Sequence, residues 1–193
     1  CQSGDIVDTY DRLTRVFECS YDEFFGNIQG NANTHEYYDL WKASISKLKT
    51  EIEIPLSNMY AAQKLHTLIP EKSIIHFAIL NSLRVWNLFE LKNKVRCFSN
   101  VGAFGIDGGL STFLGQSICT EELCYMIIGD LAFFYDMNVC GNRHVGNNVR
   151  IMLVNNGRGN EFRNYGHICS CLGEDADRFV AAAGHYGDKS PQL

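Results

Sequence analysis

Asp130 and Asn156 carry hard oxygen donors, a carboxylate and a neutral amide, of the kind that suits magnesium or calcium. A tight glycine-containing loop, Gly157 to Gly159, follows Asn156 directly and can add a backbone carbonyl. Three protein oxygens leave about three octahedral positions open, which a diphosphate and a water would fill. A helix beginning near Leu131 would aim its first N–H groups at the same anion. The two residues lie 26 positions apart, one strand-helix-strand unit, so adjacent loops can present them together.

The elements needed to do this are legible as apolar runs. They are Ile74 to Leu80, Val95 to Phe98, Tyr125 to Ile128 and Val149 to Val154. Their separations of roughly 20 to 30 residues suit crossover helices rather than hairpins. The pattern predicts an α/β fold: a parallel sheet with helices on both faces, in three α/β/α layers. The runs exit into Asn81 and Ser82, Ser99 and Asn100, Gly129 and Asp130, and Asn155 and Asn156. In a parallel sheet these exits share the carboxyl edge, where open α/β sheets bind ligands; Asn and Asp also favour turns for their own sake.

Upstream, residues 1–34 are broken by Gly26, Gly30 and several Asn and Ser, and read as the remnant of a preceding domain plus a linker. Residues 35–193 read as the binding domain. Within them, His35 to Leu48 places Tyr37, Trp41, Ile45 and Leu48 on one helical face, expected to pack into a core. Ser57 is the expected N-cap of a second helix with Tyr60, Ala61, Leu65 and Leu68 inward, stopped by Pro70. The chain begins at Cys1 without methionine, which suggests a piece of something longer, and the final "ADRFVAAAGHYGDKSPQL" reads as an amphipathic helix that stops early.

Bulk properties exclude several classes. The 193 residues carry a net charge of −5 with no basic stripe beside aromatics, so nothing marks a nucleic-acid surface. No apolar run is long enough to cross a bilayer, and a secretory leader pattern is absent. The eight cysteines are too sparse for a disulfide scaffold. Cys97, Cys119, Cys124 and Cys140 read as small buried hydrophobes in a reducing cytoplasm, and Cys169-x-Cys171 lacks the companions of a zinc site. The run "GAFGIDGG" departs from G-x-G-x-x-G and does not read as a dinucleotide loop. Phe133, Phe134 and Met137 read as core, and His144, His167 and His185 as solvated.

"GDLAFFYDMN" followed by "VNNGRG" resembles the two-part metal and diphosphate signature of thiamine diphosphate-dependent enzymes. "SNVGAFGIDGG" resembles that superfamily's pyrimidine-binding turn, and "LNSLRVW" its Gly-Asn-Ser segment. The nearest branch is that of 2-succinyl-5-enolpyruvyl-6-hydroxy-3-cyclohexene-1-carboxylate synthase, the menaquinone-pathway carboligase; the likeness covers about residues 35 to 186. The resemblance implies thiamine diphosphate and magnesium as cofactors. Asp130, the Asn156 side chain and the Arg158 carbonyl would ligate the metal. Asn81, Gly129, Leu131, Ala132, Gly159 and Asn160 would line the diphosphate. Ile106 would wedge the cofactor into its bent shape, with the Phe104 carbonyl and Ile106 N–H holding its aminopyrimidine.

Ser82, Trp86, Val101 and Phe162 fall at positions that would face substrate, and the family has arginines where this chain has Val101 and Trp86. Those arginines grip carboxylates, which neither replacement can do. Ala132 replaces a usual serine, and Arg158 a glycine, tolerable only with ordinary backbone dihedrals. The catalytic glutamate would come from a pyrimidine-type domain of the same or another subunit, so the segment alone is expected to be inactive and the full protein a homodimer or homotetramer. The implied activity decarboxylates a 2-oxo acid and transfers the acyl anion to an acceptor. A simple 2-oxo acid decarboxylase or acetolactate-synthase-like enzyme, and a degenerate domain kept for assembly, are the alternatives.

Overall fold

The computed structural model describes residues 4–30, 34–47, 52–102, 105–164 and 166–182. The chain divides into two compact units, residues 1–49 and 50–193, whereas the sequence reading set its boundary at 34/35. The described residues of the first unit hold two helices. In α1 (Tyr21–Gly26) the Ser20 hydroxyl accepts from the Glu23 N–H while the Glu23 carboxylate accepts from the Ser20 N–H, a reciprocal capping box. In α2 (Glu36–Ile45) the predicted inward face is exposed: Tyr37, Trp41 and Ile45 all lie open to solvent. Leu48 lies outside the described residues.

The second unit is built on four parallel strands, β1 (Ile74–Phe77), β2 (Arg96–Ser99), β3 (Cys124–Gly129) and β4 (Val149–Val154), in the order β2-β1-β3-β4. Ile74 pairs with Arg96 on one side and Cys124 on the other, and Cys124 in turn pairs with Val149. Strand alternation sends successive side chains to opposite faces. Ile74, Cys124, Met126 and Ile128 meet Leu110, Phe113 and Leu114 of α5 (Gly109–Ser117) and Phe133 of α6 (Asp130–Asp136). Ile75, Phe77 and Ile127 meet Ala62 of α3 (Asn58–Leu65) and Trp86 of α4 (Asn81–Trp86) on the other face. The result is the predicted three layers, with each fully buried Leu, Ile or Phe contributing about 1.5–3 kcal/mol.

Both-face burial holds for the two central strands only. β1 is buried throughout, whereas β2, at the sheet edge, is largely exposed. Cys97 on that edge and Cys119 are exposed and Cys140 half-buried, leaving Cys124 the one of the four expected buried cysteines that is enclosed. Burial nevertheless pushes the thiols of Cys97, Cys124 and Cys140 upward in pKa. Ser57 caps α3 as expected, its hydroxyl accepting from the Tyr60 N–H, but Ala62 is the residue enclosed while Leu65 and Leu68 stay exposed. The helix continues as a 3-10 turn, His66–Leu68, before Pro70. Phe133 is core, with Phe134 and Met137 packed against it. Among the described residues of the C-terminal segment the helix is α7 (Asp175–Phe179); residues 183–193, His185 among them, lie outside the described residues. No helix among the described residues is long and apolar enough to cross a membrane.

Candidate functional site

From β1 the chain passes to β2 on one side, and from β3 to β4 on the other, so the sheet's order reverses between β1 and β3. The helices following these two strands therefore depart in opposite senses and leave a crevice at the carboxyl edge. A cleft of about 420 Å³ opens there, walled by the exits of β1, β3 and β4.

Asp130 sits at its floor. β3 delivers Gly129 in extended conformation, and Asp130 begins α6 with only 1% of its surface exposed. A buried carboxylate must be compensated, and here one oxygen accepts from the Leu131 N–H at 2.9 Å while the other accepts from the Gly157 N–H at 2.7 Å. The second bond ties the β3 corner to the β4 corner. Asn156 shapes the latter: its Oδ1 accepts from the Arg158 N–H at 3.2 Å, an Asx turn, and Gly157 takes φ 74°, which glycine adopts without strain. Asp130, Asn156 and Arg158 all line the cleft.

Arg158, in the place of a family glycine, keeps a negative φ. Its guanidinium reaches Asp177 at 3.0 Å, and Arg163 binds the same carboxylate at 2.7 Å. Gly159 is tightly enclosed: a Cβ there would lie 3.1 Å from the Ala181 carbonyl and 3.3 Å from the Leu131 side chain. The sequence reading gave Leu131 and Gly159 the part of backbone donors to an anion. Both line the cleft, but the Leu131 N–H is held by Asp130, and the Gly159 N–H donates to the Ala181 carbonyl at 2.7 Å.

Asn81, Ser82, Ile106, Gly129, Ala132, Asn160 and Phe162 also reach the cleft. Trp86 does not. It faces the core, 2% exposed, with its ring 5.8 Å from that of Phe77, because five residues place position 86 about 140° around the helix from Asn81, on the side toward the sheet. Val101 is exposed beyond β2 and does not line the cleft, and Phe104 lies outside the described residues.

Three polar cleft residues escaped the sequence reading. Asn58, at the start of α3, donates from Nδ2 to the Asn81 carbonyl at 3.5 Å, and its buried Oδ1 has no partner. Glu161 receives a two-pronged bond from Arg84, at 2.6 and 3.2 Å. His167, read as solvated, lines the cleft; its Nδ1 accepts from the Cys169 N–H at 3.1 Å, placing its proton on Nε2, and its ring stands edge-on to Phe162. Asn58 and His167 arrive from segments with no motif to announce them, and Glu161 directly follows Asn160. His144 is exposed as expected. Among the described residues no group of three or more His, Cys, Asp or Glu side chains is placed to hold a metal.

No family model matches the chain. Curated relatives do. A protein of Bacteroides fragilis named 2-succinyl-5-enolpyruvyl-6-hydroxy-3-cyclohexene-1-carboxylate synthase is 36% identical over 162 residues, 82% of this chain and 29% of its own length. Its namesake in Bacteroides thetaiotaomicron is 36% identical over 161 residues, with the same coverage. The one in Christiangramia forsetii is 40% identical over 111 residues, 58% of this chain and 19% of its own. The chain thus spans under a third of the length of the curated relatives it matches. Over that span the chain is similar to the 2-succinyl-5-enolpyruvyl-6-hydroxy-3-cyclohexene-1-carboxylate synthases.

Proposed function

We propose that the cleft binds magnesium and the diphosphate of thiamine diphosphate, as one part of an enzyme that decarboxylates a 2-oxo acid and joins the acyl unit to an acceptor. The name shared by the relatives supports a carboligase of menaquinone synthesis. The observation that carries the reading is the contact of two crossover corners through Asp130, whose carboxylate reaches the Gly157 N–H at 2.7 Å. The donor set fits the cation: a carboxylate, the Asn156 amide and the Arg158 carbonyl are hard oxygens, as magnesium requires.

In this reading Asp130, Asn156 and the Arg158 carbonyl hold the metal. Asn81, Gly129, Leu131, Ala132, Gly159 and Asn160 form the wall around the diphosphate, with Leu131 and Gly159 serving as close-packed surface. Ile106, with Phe104 before it, supports the aminopyrimidine side. Ser82 and Phe162 border the substrate. Bound there, thiamine diphosphate supplies the electron sink that decarboxylation of a 2-oxo acid needs. The chain's residues orient that cofactor and exclude water around it. The proton transfer that activates it is assigned to a glutamate in a pyrimidine-type domain of the same or another subunit of a homodimer or homotetramer, so the chain alone is inactive.

Calorimetric titration of the complete protein with thiamine diphosphate and magnesium tests the reading. Binding is expected, and Asp130→Ala abolishes it; no heat from the unmutated complete protein overturns it. The positions of Trp86 in the core and Val101 outside the cleft favour a second reading, a 2-oxo acid decarboxylase without a joined product. Incubating the complete protein with 2-oxoglutarate and isochorismate separates the two, since free aldehyde as sole product ends the carboligase reading.

A further inference from the structure

Arg158 carries a positive charge beside a proposed cation site. Its carbonyl is one of the three oxygens assigned to magnesium above, and its side chain cannot take the guanidinium much beyond a Debye length, about 8 Å at physiological salt, from its own backbone. Arginine keeps its proton in proteins, so the charge is permanent. A free guanidinium there would repel the metal. It would also compete with the metal for diphosphate oxygens, which its planar fork matches.

The fold sets a carboxylate against it. Asp177, on α7, divides its two oxygens between two arginines: Oδ2 lies 3.0 Å from Nη1 of Arg158, and Oδ1 lies 2.7 Å from Nε of Arg163, on the 3-10 turn Asn160–Arg163. The segment that carries Asp177 is seated directly on the metal loop. The Ala181 carbonyl accepts from the Gly159 N–H at 2.7 Å, and Ala176 and Ala181 are fully buried. Each ion pair alone is partly exposed and weak, but a shared carboxylate on a segment fixed by that backbone bond holds one geometry. Arg158 lines the cleft whereas Asp177 and Arg163 do not, so the pair turns the guanidinium toward a group outside the cleft. Glu161, the carboxylate nearest in sequence, is engaged by Arg84 and Asn164.

We propose that Asp177 is a positioning residue for the metal site: it draws the Arg158 guanidinium out of the cleft and screens its charge, so that the Arg158 carbonyl can serve magnesium. The assignment rests on the function proposed above, since magnesium is the ion protected. Asp177 touches neither metal nor cofactor and acts through Arg158 alone. Arg163 steadies the same carboxylate from outside the cleft and has no part in the screening.

The test is calorimetric titration of the complete protein with magnesium at a fixed concentration of thiamine diphosphate, with circular dichroism as the check on folding. Asp177→Asn frees the guanidinium while conserving shape, and is expected to weaken magnesium binding about tenfold. Adding Arg158→Gln, which retains the ligating carbonyl, restores the affinity to within about threefold of the unmutated protein. Arg163→Gln loosens the brace but leaves Asp177 on Arg158, and shifts the affinity by less than about twofold. If Asp177 were only a structural brace, the double variant would stay as weak as Asp177→Asn and Arg163→Gln would weaken binding with it; either result overturns the proposal, as does unchanged affinity in Asp177→Asn. Should Asp177→Asn fail to fold, Arg158→Gln alone decides: a gain below about threefold is expected where Asp177 already screens the cation, and a gain of about tenfold shows that it does not. Absence of magnesium binding by the unmutated protein overturns the proposed function and this assignment together, whereas the variants bear on Asp177 alone.

Discussion

Leu80 holds φ 67° and ψ −126°, a conformation glycine adopts and other residues rarely do. It ends the β1 exit and aims α4 so that Asn81 and Ser82 enter the cleft, at the position where the related pattern has glycine. Leu80→Gly is expected to be more stable than Leu80→Ala by about 1 kcal/mol, a reversal of the usual order, since only glycine relieves the strain while both lose the side chain. Urea unfolding of the two variants measures it, and an Ala variant as stable as the Gly variant denies the strain. At Asp130 the same scale gives a separable outcome: Asp130→Asn keeps an acceptor for one of the N–H groups at 2.9 and 2.7 Å but lowers the charge that a cation needs. The fold is expected to survive with magnesium affinity reduced at least about tenfold, read by calorimetry against circular dichroism.

Two elements carry predictions of their own. The turn after α5 is fastened by Asn148, whose Nδ2 donates among the carbonyls of Ser117, Thr120 and Glu122 at 3.1, 2.9 and 3.2 Å. Asn148→Ala strands these acceptors beside the start of β3 and is expected to cost about 1–3 kcal/mol in chemical denaturation. On β1, His76 is buried between Phe98 and Phe113 and hydrogen-bonded to Gln116. Burial lowers its pKa below the ordinary 6.5, against a smaller opposing pull from Gln116. The unfolded chain then binds the proton first as pH falls, so the contribution of His76 is intact above about pH 6.5 and is lost below it. His76→Phe is expected to flatten the stability profile between neutral and mildly acidic pH. An unchanged slope there removes His76 as its source.

For the molecule as a whole, the layered unit of residues 50–193 implies a gradient of protection. β1 lies between two strands and two apolar faces, whereas β2 has one neighbour and an open face. Native-state hydrogen exchange is expected to find the slowest amides in β1 and β3, faster exchange in β2, and the fastest in residues 4–30, where no residue is buried. Comparable protection in β2 and β1 refutes this ordering.

The sequence by itself determined the strand-crossover repeat, the three layers and the types of residue at each strand exit, because burial on both faces and the demands of turns act locally and leave periodic traces. It also carried Asp130 and the Asn156 turn, since each belongs to a short motif. The phase of α3, the exposure of α2 and of Cys97, and the turning of Trp86 into the core were decided by packing, which depends on which face meets a neighbour. Arg84 with Glu161, and Asn58 with Asn81, required the tertiary structure outright. Such pairs join residues brought together only when the parallel sheet assembles, and a contact across 77 positions leaves no spacing for a linear pattern to register.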